Sequence, residues 1–400
     1  MKFKHPRRLA AAAAAALILT ACGGGDEGIT AAPATDDSPI RLGVALSDTG
    51  RFANSAQSMR QAYDLWNEQI NEAGGIDGRQ VELVYYDDES LPDTARVLAE
   101  RLINKDDVFM LLGPYSSGIT AVMAAVSERE QVPLLGTIAS DSTTWAKRDL
   151  KWTFQAFASS RFDHRGFMEI AAEQGAERMA VLFEESPFSI DAKDWAVEEG
   201  GPELGIQVDA YGYQSDDLDF SSITQRIADS GVETVSMGGY TAPGIQFTQS
   251  LIERGVALQG YHFIQAGDEA TREGLGESIE GVLGRTPWHP ELDTEGNADF
   301  VQTYTEKFDS EPDYQAATAF ATGQLAAAAI EQAGTDREAV REFLATQTTE
   351  TVMGTYEVDE RLAQIGYQYA MTQWQGGQNV LVGGPEVKAP QPVVWPKPAW

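Results

Sequence analysis

Two short stretches place hydroxyls where they could hold an anion. "LLGPYSSGIT" (111–120) breaks an apolar run at Gly113-Pro114, then offers Tyr115, Ser116 and Ser117 where a helix begins. "PLLGTIASDSTT" (133–144) breaks a second apolar run and offers the N–H and C=O of Ala139, then Ser140 and Asp141. A helix start presents free N–H groups and the positive end of a dipole, so serines there make a seat for a carboxylate. Such a serine is equally an ordinary N-cap, and each loop taken singly weighs evenly between the two. Two loops of this kind at one sheet edge favour the anion site.

Other chemistry is missing. There is no GxGxxG after the first apolar run, no GxxxxGK[ST], no HExxH and no GxSxG. His5, His164, His262 and His289 are scattered, so no histidine cluster suggests a metal. Asp216 to Asp219 lacks the glycine and the distant glutamate of a calcium loop and reads as a solvated turn with a helix cap. No nucleophile sits beside a base. Enzyme, metal and cofactor signals are therefore absent. A ligand site at the strand ends of an α/β sheet needs none of them.

The single cysteine, Cys22, cannot form an internal disulfide. It follows a basic start (Lys2, Lys4, Arg7, Arg8), the apolar run Leu9 to Leu19, and Leu19-Thr20-Ala21. That order is the layout of a secretory signal, and its apolar run is shorter than the ~20 residues that span a bilayer. The last four residues resemble a bacterial lipobox, which implies lipidation at Cys22 and a signal over 1–22. Residues 23–39 then read as a flexible tether. Roughly 375 remaining residues can bury a core without disulfides and suit two domains. Lys and Arg total 29 against 61 Asp and Glu; without the four basic signal residues the balance is 25 − 61 = −36. Such a surface repels nucleic acid and anionic lipid.

Short apolar runs alternate with amphipathic stretches. Strands are expected at 40–46, 81–86, 108–112 and 133–136, with helices at 55–73, 92–105 and 118–129 between them. Met59, Tyr63, Trp66 and Ile70 share one face of the first helix, and Gly74-Gly75 stops it. The pattern restarts with strands at 179–183, 207–213, 234–237, 261–266 and 282–286, and later at 351–358 and 366–374. Two runs of strand–helix alternation predict two doubly wound α/β lobes with parallel sheets. The segments near Trp152-Thr153-Phe154 and Pro287-Trp288 are the expected crossings. The Pro- and Trp-rich tail from 384 to 400 reads as an extended arm on a lobe.

"INEAGGIDGRQVELVYYDDE", "LLGPYSSG", "QVPLLGTIAS", "DFSSITQRI" and "GGYTAPG" occur in this order, and the chain from about Ile40 onward resembles the extracytoplasmic solute-binding proteins of ABC transporters, in the branched-chain amino-acid and amide class. The resemblance implies the type I periplasmic binding fold: two Rossmann-like lobes, three crossings, closure on a ligand. It implies lobe 1 over 40–155 and 288–350, and lobe 2 over 156–287 and 351–383. Ser117, with Ser116 and Tyr115, matches the family's binding serine, and Ala139 and Ser140 match the residues holding carboxylate and ammonium. Phe188 stands where a tyrosine is usual, Tyr240 matches the second-lobe tyrosine, and Asp268 matches the acidic partner of the ammonium. Phe52 lies in the first loop, and Gln155 replaces the arginine usual in the first crossing. These departures leave amino acids, amides and aromatic acids all open as ligands. The implied partners are an ABC permease and, through the lipid anchor alone, a membrane. A monomer without cofactor, metal or nucleic acid is expected, and presentation of ligand to a receptor is the alternative role.

Overall fold

A computed structural model describes residues 38–400 except Arg148, Asp217, Pro385, Glu386, Lys388 and Ala389. The signal, the lipobox with Cys22 and nearly all of the tether lie outside the described residues.

The described residues build two large sheets and a two-stranded hairpin. The first contains β1 (Ile40–Leu46), β2 (Val81–Asp87), β3 (Met110–Leu112), β4 (Leu134–Gly136) and β5 (Thr153–Gln155), in the order β2-β1-β3-β4-β5 and parallel throughout. Between them run α1 (Ala53–Glu72), α2 (Pro92–Asn104), α3 (Ser117–Glu130) and α4 (Ser142–Lys147). The continuous apolar runs of β3 and β4 are buried along their whole length, as strands covered on both faces must be.

The second sheet repeats the plan. Its parallel part contains β6 (Arg178–Glu184), β7 (Gln207–Tyr213), β8 (Thr234–Gly238), β9 (Gly260–Phe263) and β10 (Leu283–Thr286), in the order β7-β6-β8-β9-β10. Its helices are α5 (Arg165–Glu173), α6 (Pro187–Trp195), α7 (Gly201–Leu204), α8 (Ser221–Ser230), α9 (Thr241–Arg254) and α10 (Glu269–Leu275). Both sheets therefore reverse strand order at one point, between β1 and β3 and between β6 and β8. Open α/β sheets bind ligands beyond the strand ends at such a point.

The chain then returns to the first lobe through α11 (Asn297–Phe308), α12 (Tyr314–Ala333) and α13 (Arg337–Thr346). Helix α12 is buried nearly all round and lies against α1, where Gly323 lets the Trp66 ring approach; a Cβ there would meet it at 2.3 Å. The segment 351–358, expected as a second-lobe strand, is instead half of a hairpin, β11 (Thr349–Thr351) with β12 (Gly354–Tyr356). Val352, Met353, Tyr356, Leu362 and Tyr367 join the first lobe's core. The boundary expected at 351 thus moves past Tyr367, because these apolar residues find their cover against α12 and α13. The Val352 N–H donates to Gln324 Oε1 at 3.0 Å, and Tyr356 Oη donates to the Leu344 carbonyl at 3.0 Å. β13 (Ala370–Gln375) and β14 (Gln378–Gly383) then add antiparallel to β10 at the edge of the second sheet.

The three connections run side by side. Tyr367 Oη donates to the Ala156 carbonyl at 2.8 Å and Tyr369 Oη to the Ala158 carbonyl at 2.9 Å. Buried Gln155 donates to the Ala139 carbonyl at 2.8 Å and accepts from the Gln364 N–H at 3.1 Å. The C-terminal arm lies on the second lobe, where Trp400 Nε1 donates to the Val256 carbonyl at 2.9 Å and the Trp400 ring meets Tyr261 at 5.5 Å.

Candidate ligand-binding site

The strand ends of the two lobes face each other across a narrow, partly open cleft. The first lobe contributes Tyr115, Ser116 and Ser117 after β3, Ile138 and Ser140 after β4, Phe157 after β5, and Tyr314 at the start of α12. The second contributes Phe188 on α6, Tyr240 after β8, Gln265 after β9, and Arg285 in β10.

Ser116 is the N-cap of α3; its Oγ accepts from the Ile119 N–H at 3.4 Å. Its backbone stands at φ 89°, ψ 141°, a region that residues with a Cβ rarely occupy. Three residues earlier, Gly113 passes hard against β4; a Cβ on Gly113 would lie 2.4 Å from the Leu135 carbonyl oxygen. Ser117 Oγ accepts from the N–H groups of Ser140 and Asp141, both at 3.1 Å, so the two hydroxyl loops are tied into one unit. Its acceptor side is filled and its hydroxyl hydrogen remains a donor.

Aromatic rings form the body of the site. Phe188 and Tyr240 meet at 4.9 Å between centroids, Phe52 and Tyr240 at 5.0 Å, and Phe52 and Tyr115 at 5.2 Å. Phe52 lies behind this cluster and lines a neighbouring cavity. Burial pushes the Tyr115 hydroxyl up to about 12, so it stays a neutral donor.

Several contacts bridge the lobes. Arg51 Nη2 reaches both carboxylate oxygens of Glu184 at 3.0 and 3.3 Å, with its guanidinium 4.7 Å from the Tyr240 ring centroid. Asp191 on α6 accepts from the Ser142 N–H at 3.0 Å and from Ser142 Oγ at 2.8 Å. Tyr314 Oη donates to Gln265 Oε1 at 2.9 Å.

Of the residues singled out in the sequence, Tyr115, Ser116, Ser117, Ser140, Phe188 and Tyr240 line the cavity together. Ala139 is buried behind it, its carbonyl engaged by Gln155. Asp268 lines two adjoining cavities, with Tyr115 and Tyr240 on one side and Arg285 and Tyr314 on the other. Its side chain makes no cap to α10; instead Thr241 Oγ1 donates to it at 2.8 Å. Burial pushes its carboxyl up to about 7.

Arg285 escaped the sequence reading, as did Phe157, Gln265 and Tyr314. The signal was a single cation inside a strand that is buried throughout, a place where charge is rare without a partner. Its Nε donates to Asp163 Oδ1 at 3.0 Å, and the guanidinium lies 4.6 Å from the Tyr369 ring centroid. Burial works against its charge, but Asp163 and the neighbouring acidic groups hold its pKa above the ordinary value. Burial pushes Asp163 itself up to about 6. Among the described residues no group of histidine, cysteine and carboxylate side chains could hold a metal, and no helix is long and apolar enough to cross a membrane.

Two α/β lobes, three side-by-side connections and a cleft lined from both switch points define the architecture of a two-lobed binding protein. The chain belongs to the periplasmic binding protein family, whose model matches residues 39–379. It is 26% identical over 345 residues to an amino acid binding protein of Pseudomonas aeruginosa, covering 84% of this chain and 90% of that protein. It is likewise 26% identical over 344 residues to the leucine-, isoleucine-, valine-, threonine- and alanine-binding protein of the same organism, covering 84% and 90%. Among solved structures it is similar to a leucine-binding protein from Thermotoga maritima, with TM-score 0.78, 23% identity and coverage of 86% and 97%. A solute-binding protein from R. palustris in complex with benzoate superposes with TM-score 0.78 at 17% identity, covering 89% and 99%. The family is one of substrate-binding proteins, not enzymes, that work outside the cytoplasm.

Proposed function

We propose that the protein captures a small carboxylate with an apolar or aromatic body, an amino acid or a related acid, between its lobes and delivers it to an ABC permease. The observation that carries this reading is the lining of the cleft: hydroxyl donors at the start of α3 meet aromatic rings drawn from both lobes. The hydroxyls and the helix start supply the carboxylate seat, and the rings of Tyr115, Phe188 and Tyr240 cover the body. Lipidation at Cys22 is the proposed tether that keeps the binding protein beside its permease.

Two versions differ over the amine. In an amino acid, Asp268 would receive the ammonium, since a buried cation needs an anionic partner. The aromatic-acid version is favoured by one observation: Asp268 lines the adjoining cavities and not the inner one. Relatives named for amino acids and a structural neighbour holding benzoate bracket the same choice. A thermal-shift screen with matched compounds decides it, because a ligand that binds only the folded state raises Tm. Leucine is set against 4-methylpentanoate, and phenylalanine against 3-phenylpropanoate and benzoate. A preference for the amine-bearing member assigns the ammonium to Asp268; a preference for the acid removes that role. If no carboxylate raises Tm, the proposal fails.

A further inference from the structure

Arg285 is the one charged residue among those lining the inner cavity. It is 5% exposed, and its Nη1 is buried without a hydrogen-bond partner. A structural role as partner of Asp163 engages the Nε edge at 3.0 Å. It does not account for the unmatched Nη1, and buried donors are nearly always matched. The faces of the guanidinium are also occupied, with ring centroids of Tyr369 at 4.6 Å and Tyr314 at 5.7 Å. What remains is the in-plane edge of a rigid fork, the geometry that pairs with a carboxylate. Among the other charges nearby, Asp191 is bonded to Ser142 and Ser160 and Glu184 to Arg51, while Asp163 engages Arg285 through Oδ1 with its Oδ2 unmatched, and Asp268, bonded to Thr241, shares an adjoining cavity with Arg285.

We infer that Arg285 receives an anionic oxygen of the ligand, so that the second lobe, as well as the start of α3, reads the ligand's negative charge. This rests on the proposed reading of the cavity as a carboxylate site and narrows it: the pocket selects acids over the corresponding neutral amides. It also couples charge recognition to closure, because β10 and α3 belong to opposite lobes.

The test is calorimetry on the full chain with three acid–amide pairs: leucine and leucinamide, 4-methylpentanoate and its amide, benzoate and benzamide. The wild type should bind at least one acid about ten-fold or more tightly than its amide, the size expected of a charge-assisted bond. Arg285→Met should lower that ratio several-fold, leaving the part that the start of α3 supplies. Asp163→Asn, which keeps the arginine, should leave the preference for the acid in place. Should Arg285→Met fail to fold, the double variant Asp163→Asn/Arg285→Gln removes both charges together and should likewise lower the ratio several-fold. An unchanged ratio in the arginine variants overturns the inference while leaving a carboxylate site standing. Equal loss in Asp163→Asn also overturns it, since the preference would then follow from the ion pair's structural role. If no probe binds the wild type, the carboxylate site itself falls, and this inference with it.

Discussion

Arg51→Met should loosen the closed form of the protein and weaken ligand binding. Arg51 sits in the loop between β1 and α1, and Glu184 ends β6 on the other lobe. The pair spans the cleft at 3.0 Å, with the arginine side chain 39% exposed and the glutamate 2%. Removing one partner of a fully buried pair costs about 3–5 kcal/mol, whereas an exposed pair is worth about 1 kcal/mol or less. With one partner in water and one out of it, the loss should be about 1–2 kcal/mol. When the lobes part, Glu184 regains water, so the penalty falls on the closed state alone. A shift of that size lowers affinity by about ten-fold, at ~1.4 kcal/mol per decade. Calorimetry measures the affinity, and X-ray scattering of the unliganded protein should report a larger radius of gyration for the variant. Glu184→Gln in the same chain should restore part of the loss, because the stranded carboxylate is what disfavours closure. Unchanged affinity and unchanged scattering in Arg51→Met would refute the reasoning.

Ser117→Ala should preserve the fold and weaken carboxylate binding about ten- to hundred-fold, since a hydrogen bond to a charged group is worth roughly 1.5–3 kcal/mol; calorimetry showing wild-type affinity removes Ser117 from the site. Stability should fall on acidification through the buried chain His164–Ser236–His262, whose hydroxyl-to-ring distances are both 2.7 Å. Burial holds His164 down to about 3 and His262 well below its ordinary value. Because the folded values lie below the unfolded ~6.5, the unfolded chain takes up protons first as pH drops, so stability is complete above about pH 6.5 and is lost toward pH 3. His262→Asn should flatten the dependence of Tm on pH between 7.5 and 5; an identical slope in the variant would count against these histidines. Cys22→Ser should move the protein from the membrane fraction to the soluble one, since lipid chains supply the anchoring energy; equal retention in the membrane would discard the lipidation.

The legible part of the fold was the part governed by local pattern. The run Gln207–Tyr213 is a strand with the bounds expected for it. Asp219 accepts from the Ser221 N–H at 3.0 Å at the start of α8. Residues 351–358 misled because a short apolar stretch of β-formers reads alike as an edge strand or as a hairpin, and only α12 and α13 decide which core covers it. The hydroxyl loops were legible for the same local reason: an apolar run, a break and a serine mark a strand end followed by a helix start.

Local pattern in the chain itself determined the two-lobed α/β plan, the absence of an enzyme's motifs and the hydroxyl loops with Ser116, Ser117 and Ser140, because each rests on near neighbours along the backbone; Tyr115, Phe188 and Tyr240 were implied by the family resemblance. Tertiary structure alone decided which distant groups share the cavity. Arg285 stands 168 positions after Ser117 (285 − 117) yet lines the same space, and the bond that orients it comes from Asp163, 122 positions earlier. Asp268, by contrast, follows a strand end as a ligand residue should, but packing turns it toward the adjoining cavities. Charge recognition depends on which side chains are excluded from water together, and that is a property of the closed cleft, not of any stretch of sequence.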